Sequence, residues 1–306
     1  MLNNTNKQQN VKNKNKLQRG STIFYVALMA FPVIQFILFY IVVNFRSFGY
    51  AFMEITHDTA LNQTIKEFSF KQFAHWFTDV ADKVAFWESS KMSLLYYGVS
   101  LFVGIPLGLL FSYYIFKKMP ASTFFRIFLF LPSIIPAAAL ALTYKIVLNE
   151  ATLHIFGHTH FTFNEHPLLF IIFYNVYVSF GTSVLMYANK MFDISPEVVE
   201  AATLDGATGI KEFWYVVLPL TFPTISVFLI TGIATIFTNQ YNLYLLTETP
   251  DYFSLGHLLY LRAGKANEAE MNIPPVAALG LILTAIAVPL TFLVKYCLEK
   301  FGPKEE

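Results

Sequence analysis

Two groups of polar side chains stand inside otherwise apolar stretches, and their types limit the chemistry open to them. The first is Tyr174, Asn175, Tyr177, Ser179 and Thr182; the second is Thr235, Thr238, Asn239, Gln240, Tyr241 and Asn242. These groups donate and accept hydrogen bonds but carry no charge. A buried amide without a partner costs about 1–3 kcal/mol by mutational data, so each faces another helix, water or a ligand. Packing between helices is the competing reading, because Asn, Gln and Thr serve that purpose well. Tyrosine joins an apolar ring to a hydroxyl, which suits a ligand of mixed surface. Ser179 and Thr182 stand three apart and share a helical face. The substrate-path candidates are therefore Tyr174, Tyr177, Ser179, Thr182, Thr235, Asn239 and Tyr241.

Other chemistry is poorly provided for. A glycine-rich phosphate loop needs Lys-Ser/Thr after its last glycine, and nothing follows Gly206 to Gly209 in that form. This chain is therefore not an ATPase, and it carries no cofactor of its own. The single cysteine, Cys297, permits no internal disulfide. His154, His158, His160 and His166 cluster in one loop, where a divalent metal is conceivable; solvated loop histidines are the simpler reading, and no metal site is expected. Asp193, Glu197, Glu200, Asp205 and Glu212 fit helix capping and docking better than acid–base catalysis, so no catalytic residue is expected.

The best-punctuated segment is 193–219. Ser195 suits an N-cap and Pro196 the first helical position. Glu197 stands near the positive end of the helix dipole. Val198 to Leu204 continue a short helix, and Asp205-Gly206 end it, since Gly tolerates a left-handed C-cap. A second helical piece is expected over 207–217, ending before Pro219.

These segments sit in a membrane composition. The 306 residues are 55% hydrophobic and 13% charged, with mean hydropathy +0.50. Six apolar runs near 22–44, 92–116, 127–144, 167–188, 220–246 and 276–294 predict membrane helices, because a bilayer core is about 30 Å thick. Their interiors hold no Asp, Glu, Lys, Arg or His, which argues against ion coupling within this chain. Residues 1–20 are Lys-, Asn- and Gln-rich and predict a disordered cytoplasmic tail ahead of a membrane domain over 21–306. With the N-terminus inside, the inner segments hold 13 of the 21 basic residues and 8 of the 20 acidic ones. The positive-inside rule then puts both termini and the 193–219 loop in the cytoplasm. Prolines and glycines within the runs, including Pro132, Pro136, Gly181, Pro223 and Pro289, predict bent helices.

The spacing Glu200-Ala201-Ala202, Gly206, Val216, Leu218-Pro219 resembles the cytoplasmic loop of permease subunits of ATP-binding-cassette importers. Val216 replaces the more usual Ile, and Pro196 stands one residue nearer the Glu than the family's proline. Leu131-Pro132-Ser133-Ile134-Ile135-Pro136 resembles the third-span motif, and the fit is closer to the first of the two permeases in carbohydrate importers. The stretch after Phe68, with Phe70 and Phe73, resembles their short amphipathic segment before the second span. The resemblance implies an all-α, six-span type I permease fold in a bacterial inner membrane. It implies partners: a second permease, two ATP-binding subunits, an extracytoplasmic solute-binding protein, membrane lipid and a carbohydrate, with no nucleic acid. It assigns ATPase coupling to Glu200, Ala201, Ala202, Asp205, Gly206, Leu218 and Pro219. Counting back from Leu245-Leu246-Thr247, Asn239 falls where such permeases place a sugar-contacting Asn. Residues at the Ser179–Thr182 face are smaller than in maltose-type permeases, so the sugar need not be the same. Another small polar solute, a secondary transporter and a membrane enzyme are the alternatives.

Overall fold

The computed structural model describes residues 24–58, 63–156, 165–266 and 270–303. The basic tail, His158 and His160 lie outside them. Helix α1 (Phe24–Ala51) is apolar on every side and exposed along most of its length. It runs beyond its expected end at 44, and there Asn44 and Ser47 turn their side chains back onto the Tyr40 and Val43 carbonyls, 2.5 and 3.3 Å away.

Among the described residues the one departure from an all-α fold is a hairpin that helical periodicity did not foretell. Strand β1 (Met53–Asp58) pairs antiparallel with β2 (Gln63–Phe68), with Met53 opposite Phe68 and Ile55 opposite Lys66. Ile55, Thr56, Thr64 and Ile65 are β-branched and favour the pleat. Phe52, Phe68, Phe70 and Phe73 pack ring to ring at its base. The expected amphipathic piece follows as α2 (Lys71–Thr78), which buries Trp76 and donates its indole N–H to the Pro275 carbonyl at 2.8 Å.

Helix α3 (Val80–Phe116) starts at Val80 rather than near 92. Asp79 caps it, accepting from the Ala81 and Asp82 N–H groups at 3.0 and 3.1 Å. Its first turns are polar, so hydropathy alone placed the start too late. Asp82 is held there by His75 Nε2 at 2.6 Å and by Arg262.

The expected third span is broken. Helices α4 (Ser122–Ile134) and α5 (Ala137–Phe156) meet at 106°. Pro136 holds Ile135 in extended backbone, at φ −77° and ψ 136°, because a residue before proline avoids the helical region. Helix α6 (Pro167–Phe192) crosses α4 so closely that a Cβ on Gly181 would stand 1.8 Å from the Leu129 carbonyl oxygen. The short α7 (Pro196–Leu204) leads through a turn to α8 (Ile210–Thr235).

Two expectations for α8 are corrected. Pro219 does not end a helix, because a π-helical stretch at Phe213–Val217 precedes it and the helix runs on. The fifth span was expected to reach 246, yet the helix stops at Thr235. Residues 236–242 form turns, with Tyr241 and Asn242 left-handed at φ 49° and 54°. Asn239 Oδ1 accepts the Tyr241 N–H at 2.9 Å, and such a local bond competes with the helix ladder. The chain continues as α9 (Leu243–Leu246), α10 (Leu255–Ala266) and α11 (Ile273–Phe301).

Among the described residues five helices are long and apolar enough to cross a membrane, and the bent α4–α5 pair, counted as one span, makes a sixth. Four buried clusters among the described residues hold them, the smallest being Ile115, Val184 and Ala188 between α3 and α6. One joins Tyr96, Phe170, Ile171, Tyr174 and Leu243. Another joins Trp76, Phe86, Leu255 and Leu279. The third joins Leu109, Tyr187, Met191, Phe213 and Val217.

Candidate translocation cavity and coupling loop

Two adjoining cavities of about 210 and 320 Å³ lie among α3, α6, α8 and the 236–242 turns. They share Ser100, Ser179, Asn239 and Tyr241. The first adds Tyr96, Asn175 and Asn242, and the second adds Tyr97, Thr182, Ser183, Thr231 and Thr235. Every polar group among the lining residues is a hydroxyl or an amide, and none is ionisable except tyrosine. Such a wall can hydrogen-bond a neutral solute but offers no counter-charge to an ion.

The helix break shapes this wall. Asn239 stays one bond from the helix, its N–H donating to Thr235 O at 2.9 Å. Its own carbonyl accepts from the Ser254 hydroxyl at 2.8 Å. Gly256 lets α10 press against the turn, since a Cβ there would stand 2.4 Å from Thr238 O. Tyr241 packs on Tyr96 with ring centroids 5.0 Å apart.

Ser179, Thr182, Thr235, Asn239 and Tyr241 are thus brought together, and Tyr174 and Tyr177 are not. Tyr174 is fully buried beside Tyr144, its hydroxyl 3.4 Å from Ala137 O. Tyr177 stacks on Phe173 and lines neither cavity. Both stand on α6, where the helical turn puts Tyr174 into the core and Tyr177 beside the exposed Phe173. The contribution of α3 escaped the sequence reading. The signal was Tyr96, Tyr97 and Ser100, which share a face at helical spacing.

At the other end, α7 and its turn are well specified. Ser195 is extended, at φ −64° and ψ 140°, but its hydroxyl does not cap the helix backbone. Instead the Glu197 carboxylate accepts its own backbone N–H and the Ser195 hydroxyl, which hold its pKa below the usual range. The C-terminus closes in a Schellman pattern, with Gly206 N–H on Thr203 O at 3.1 Å and Ala207 N–H on Ala202 O at 2.9 Å. Gly206 has φ +80°, and Gly209, which opens α8, has φ +58°. Ala202 turns inward, while Glu200, Ala201 and Asp205 are exposed and Leu204 is 88% exposed. A groove of about 350 Å³ beside α7 is lined by Lys117, Lys118, Val199 and Glu200. Leu218 and Pro219 are half-buried inside α8, where Leu218 packs on the Met191–Phe213–Val217 cluster. They belong to the support of the loop rather than to its outer face.

Of the loop histidines, only His154 and His166 lie among the described residues. His154 lies 3.9 Å from Glu150, both exposed. His166 stands at the N-cap position of α6. Among the described residues no group of three His, Cys, Asp or Glu side chains could hold a metal ion.

A bundle of long apolar helices with an uncharged polar cavity inside and a capped helix-turn-helix at one end is the architecture of a multi-pass membrane transport subunit. Residues 104–301 match the family described as binding-protein-dependent transport system inner membrane component, and the chain belongs to that family of transport components, not enzymes. It is 26% identical over 248 residues to the multiple sugar-binding transport system permease protein MsmF of Streptococcus mutans, covering 77% of this chain and 82% of that one. It is 20% identical over 223 residues to the sn-glycerol-3-phosphate transport system permease protein UgpA of Rhizobium meliloti, covering 70% and 76%. Its fold aligns at TM-score 0.73 and 19% identity with a chain of a bacterial alginate transporter solved with an alginate pentasaccharide-bound periplasmic protein, covering 91% of this chain and 95% of that one.

Proposed function

We propose that this chain is the permease subunit of a carbohydrate importer, and that its substrate is a neutral, hydroxyl-rich oligosaccharide. The observation that carries the reading is a cavity wall in which Ser100, Ser179, Thr182, Asn239 and Tyr241 supply polar groups without formal charge among apolar residues such as Val99, Ile172, Leu101 and Phe228. Sugars present hydroxyls at their edges and apolar C–H faces, which amide and tyrosine side chains match. The likeness to a multiple-sugar permease supports the substrate class. In this reading a second permease completes the pathway and a solute-binding protein delivers the sugar. Two ATP-binding subunits dock on α7, where exposed Glu200, Ala201, Asp205 and Leu204 meet them. The termini and α7 face the cytoplasm.

A second reading, import of a small polar solute other than a sugar, is favoured by the likeness to a glycerol-phosphate permease. The uncharged cavity lining weighs against an anionic substrate, which would lie there without a counter-charge. Uptake in proteoliposomes holding the assembled transporter separates the two. Asn239→Ala and Thr182→Val are expected to lower sugar uptake and change the preference among oligosaccharides, with assembly intact. Unchanged uptake and preference in both variants would move the path to the partner permease. Uptake of glycerol phosphate but of no oligosaccharide would establish the second reading.

A further inference from the structure

The most deeply buried carboxylate among the described ion pairs stands beside the coupling loop and has no part in the cavity. Glu212 is 2% exposed and accepts from Lys117 Nζ at 2.9 and 3.0 Å, one contact to each carboxylate oxygen. One turn before Lys117 on α3, the Tyr113 hydroxyl donates to the Gly209 carbonyl at 2.9 Å. The Tyr113 ring packs on Phe213 at 5.1 Å. Three contacts therefore fasten the end of α3 to the start of α8, just after the left-handed Gly209.

A pair buried in this way is weak evidence for stability. Desolvation of the carboxylate offsets much of the attraction, and an apolar pair of equal volume often serves as well. What the pair does supply is a fixed geometry, since breaking it leaves a buried charge. Its position is informative for that reason. Glu212 separates the turn after α7 from the π-helical stretch at Phe213–Val217. Lys117 ends the helix whose own π-helical stretch, Ser100–Gly104, contributes Ser100, Leu101 and Gly104 to the second cavity. Helix α8 thus carries a π stretch between the ion pair and the cavity, and α3 carries one in the cavity wall itself; such stretches recur at functional sites.

We propose that Lys117 and Glu212 are positioning residues that make the end of α3 and the start of α8 one unit, so that a displacement of α7 reaches both cavity-lining helices together. The inference rests on the reading of α7 as the ATPase-docking helix. Without the pair, only the Tyr113 contacts to Gly209 and Phe213 would join the two helix ends.

The test uses the complete transporter, with both permeases, the ATPase subunits and the binding protein, in proteoliposomes. Glu212→Gln and Lys117→Met are each expected to lower solute moved per ATP hydrolysed by about tenfold, the size of effect that mutations along a coupling route reach. The ATPase subunits should still co-purify in the wild-type ratio. The reversed pair, Lys117→Glu with Glu212→Lys, should restore most of the lost coupling. A wild-type ratio in the single variants would overturn the proposal, as would a proportionate fall of uptake and hydrolysis together. Where the single variants fail to assemble, cysteines at 117 and 212 on a Cys297→Ser background take their place. Joining them with a short bis-maleimide should restore coupled transport, and arrested transport after joining would overturn the proposal. Cross-linking from Leu204→Cys to the ATPase subunit checks the docking reading separately. That reading fails if no cross-link forms. The joint alone fails if the cross-link forms and the variants at 117 and 212 couple normally.

Discussion

Asn239 has both of its oxygens engaged, the carbonyl by Ser254 and Oδ1 by the Tyr241 N–H, which leaves its side-chain NH2 without a partner among the described residues. Asn239→Asp preserves the turn-forming oxygen but replaces that donor with a negative charge. It should therefore keep thermal stability close to wild type while uptake falls, by about fivefold or more for one lost hydrogen bond of about 1 kcal/mol. Equal losses of stability and uptake would assign Asn239 to folding alone. His257 gives a pH test. It is 1% exposed, its Nδ1 has no partner among the described residues, and burial lowers its pKa from the ordinary value. A lowered histidine pKa means that the unfolded chain takes up the proton first. The stability from neutral His257 is then fully present above the ordinary histidine pKa and is lost as pH falls through it towards the folded value. Melting of the purified protein should drop between pH 7.5 and 5.5, and His257→Gln should shrink that drop. An identical drop in the variant would place the titrating group elsewhere.

Among the elements, α7 depends on its turn. Gly206 is left-handed, and a Cβ there would meet nothing within 4 Å, so the obstacle to a side chain is backbone conformation and not space. Gly206→Val should cost about 1–2 kcal/mol in that turn. Transport should fail while the chain still inserts, whereas Gly206→Asn should be tolerated because Asn visits the left-handed region. Normal uptake by Gly206→Val at wild-type expression would remove the turn from the coupling route. The α4–α6 crossing is limited by space instead. Gly181→Ala drives a methyl into the Leu129 carbonyl, and overpacking of this kind costs about 1–3 kcal/mol or more. It should lower the melting temperature and the yield of the assembled complex; an unchanged melting curve would show that α4 yields.

At the scale of the molecule, the apolar surface of α1 and the polar bridge from β2 to α11 mark opposite surroundings. Lys66 pairs with Glu270, which raises its pKa through that hydrogen bond. The hairpin and α2 thus sit with the connection before α11 at one end of the bundle, and α7 sits at the other end of α3. With the basic residues on the inner side, single cysteines on a Cys297→Ser background should report this. Thr64→Cys should react with an impermeant maleimide from outside, and Thr208→Cys only after permeabilisation. The reverse pattern would invert the topology.

Sequence alone determined the membrane class, the apolar segments and the short helix between Pro196 and its glycine turn, though not the Ser195 cap, which does not form. Each depends on composition or on residues close in the chain, such as Pro196, Asp205 and Gly206. The loop spacing from Glu200 to Pro219 was enough to reach the family. What periodicity misjudged was set by contacts across the fold. Helix α8 stops at Thr235 because the Asn239 turn is braced by Ser254 and Gly256, distant residues that no local window includes. Helix α3 could not be recognised as a cavity wall, since Tyr97 and Ser100 read equally well as lipid-facing or buried. Tyr174 and Tyr177 had the right chemistry on the right helix, and only the rotation of α6 put Tyr174 against α5 and Tyr177 beside Phe173, both away from the cavities. The Lys117–Glu212 pair is the clearest case of the same kind. Two charged residues in separate loops carry no sign of each other until the chain brings one to the end of α3 and the other to the start of α8.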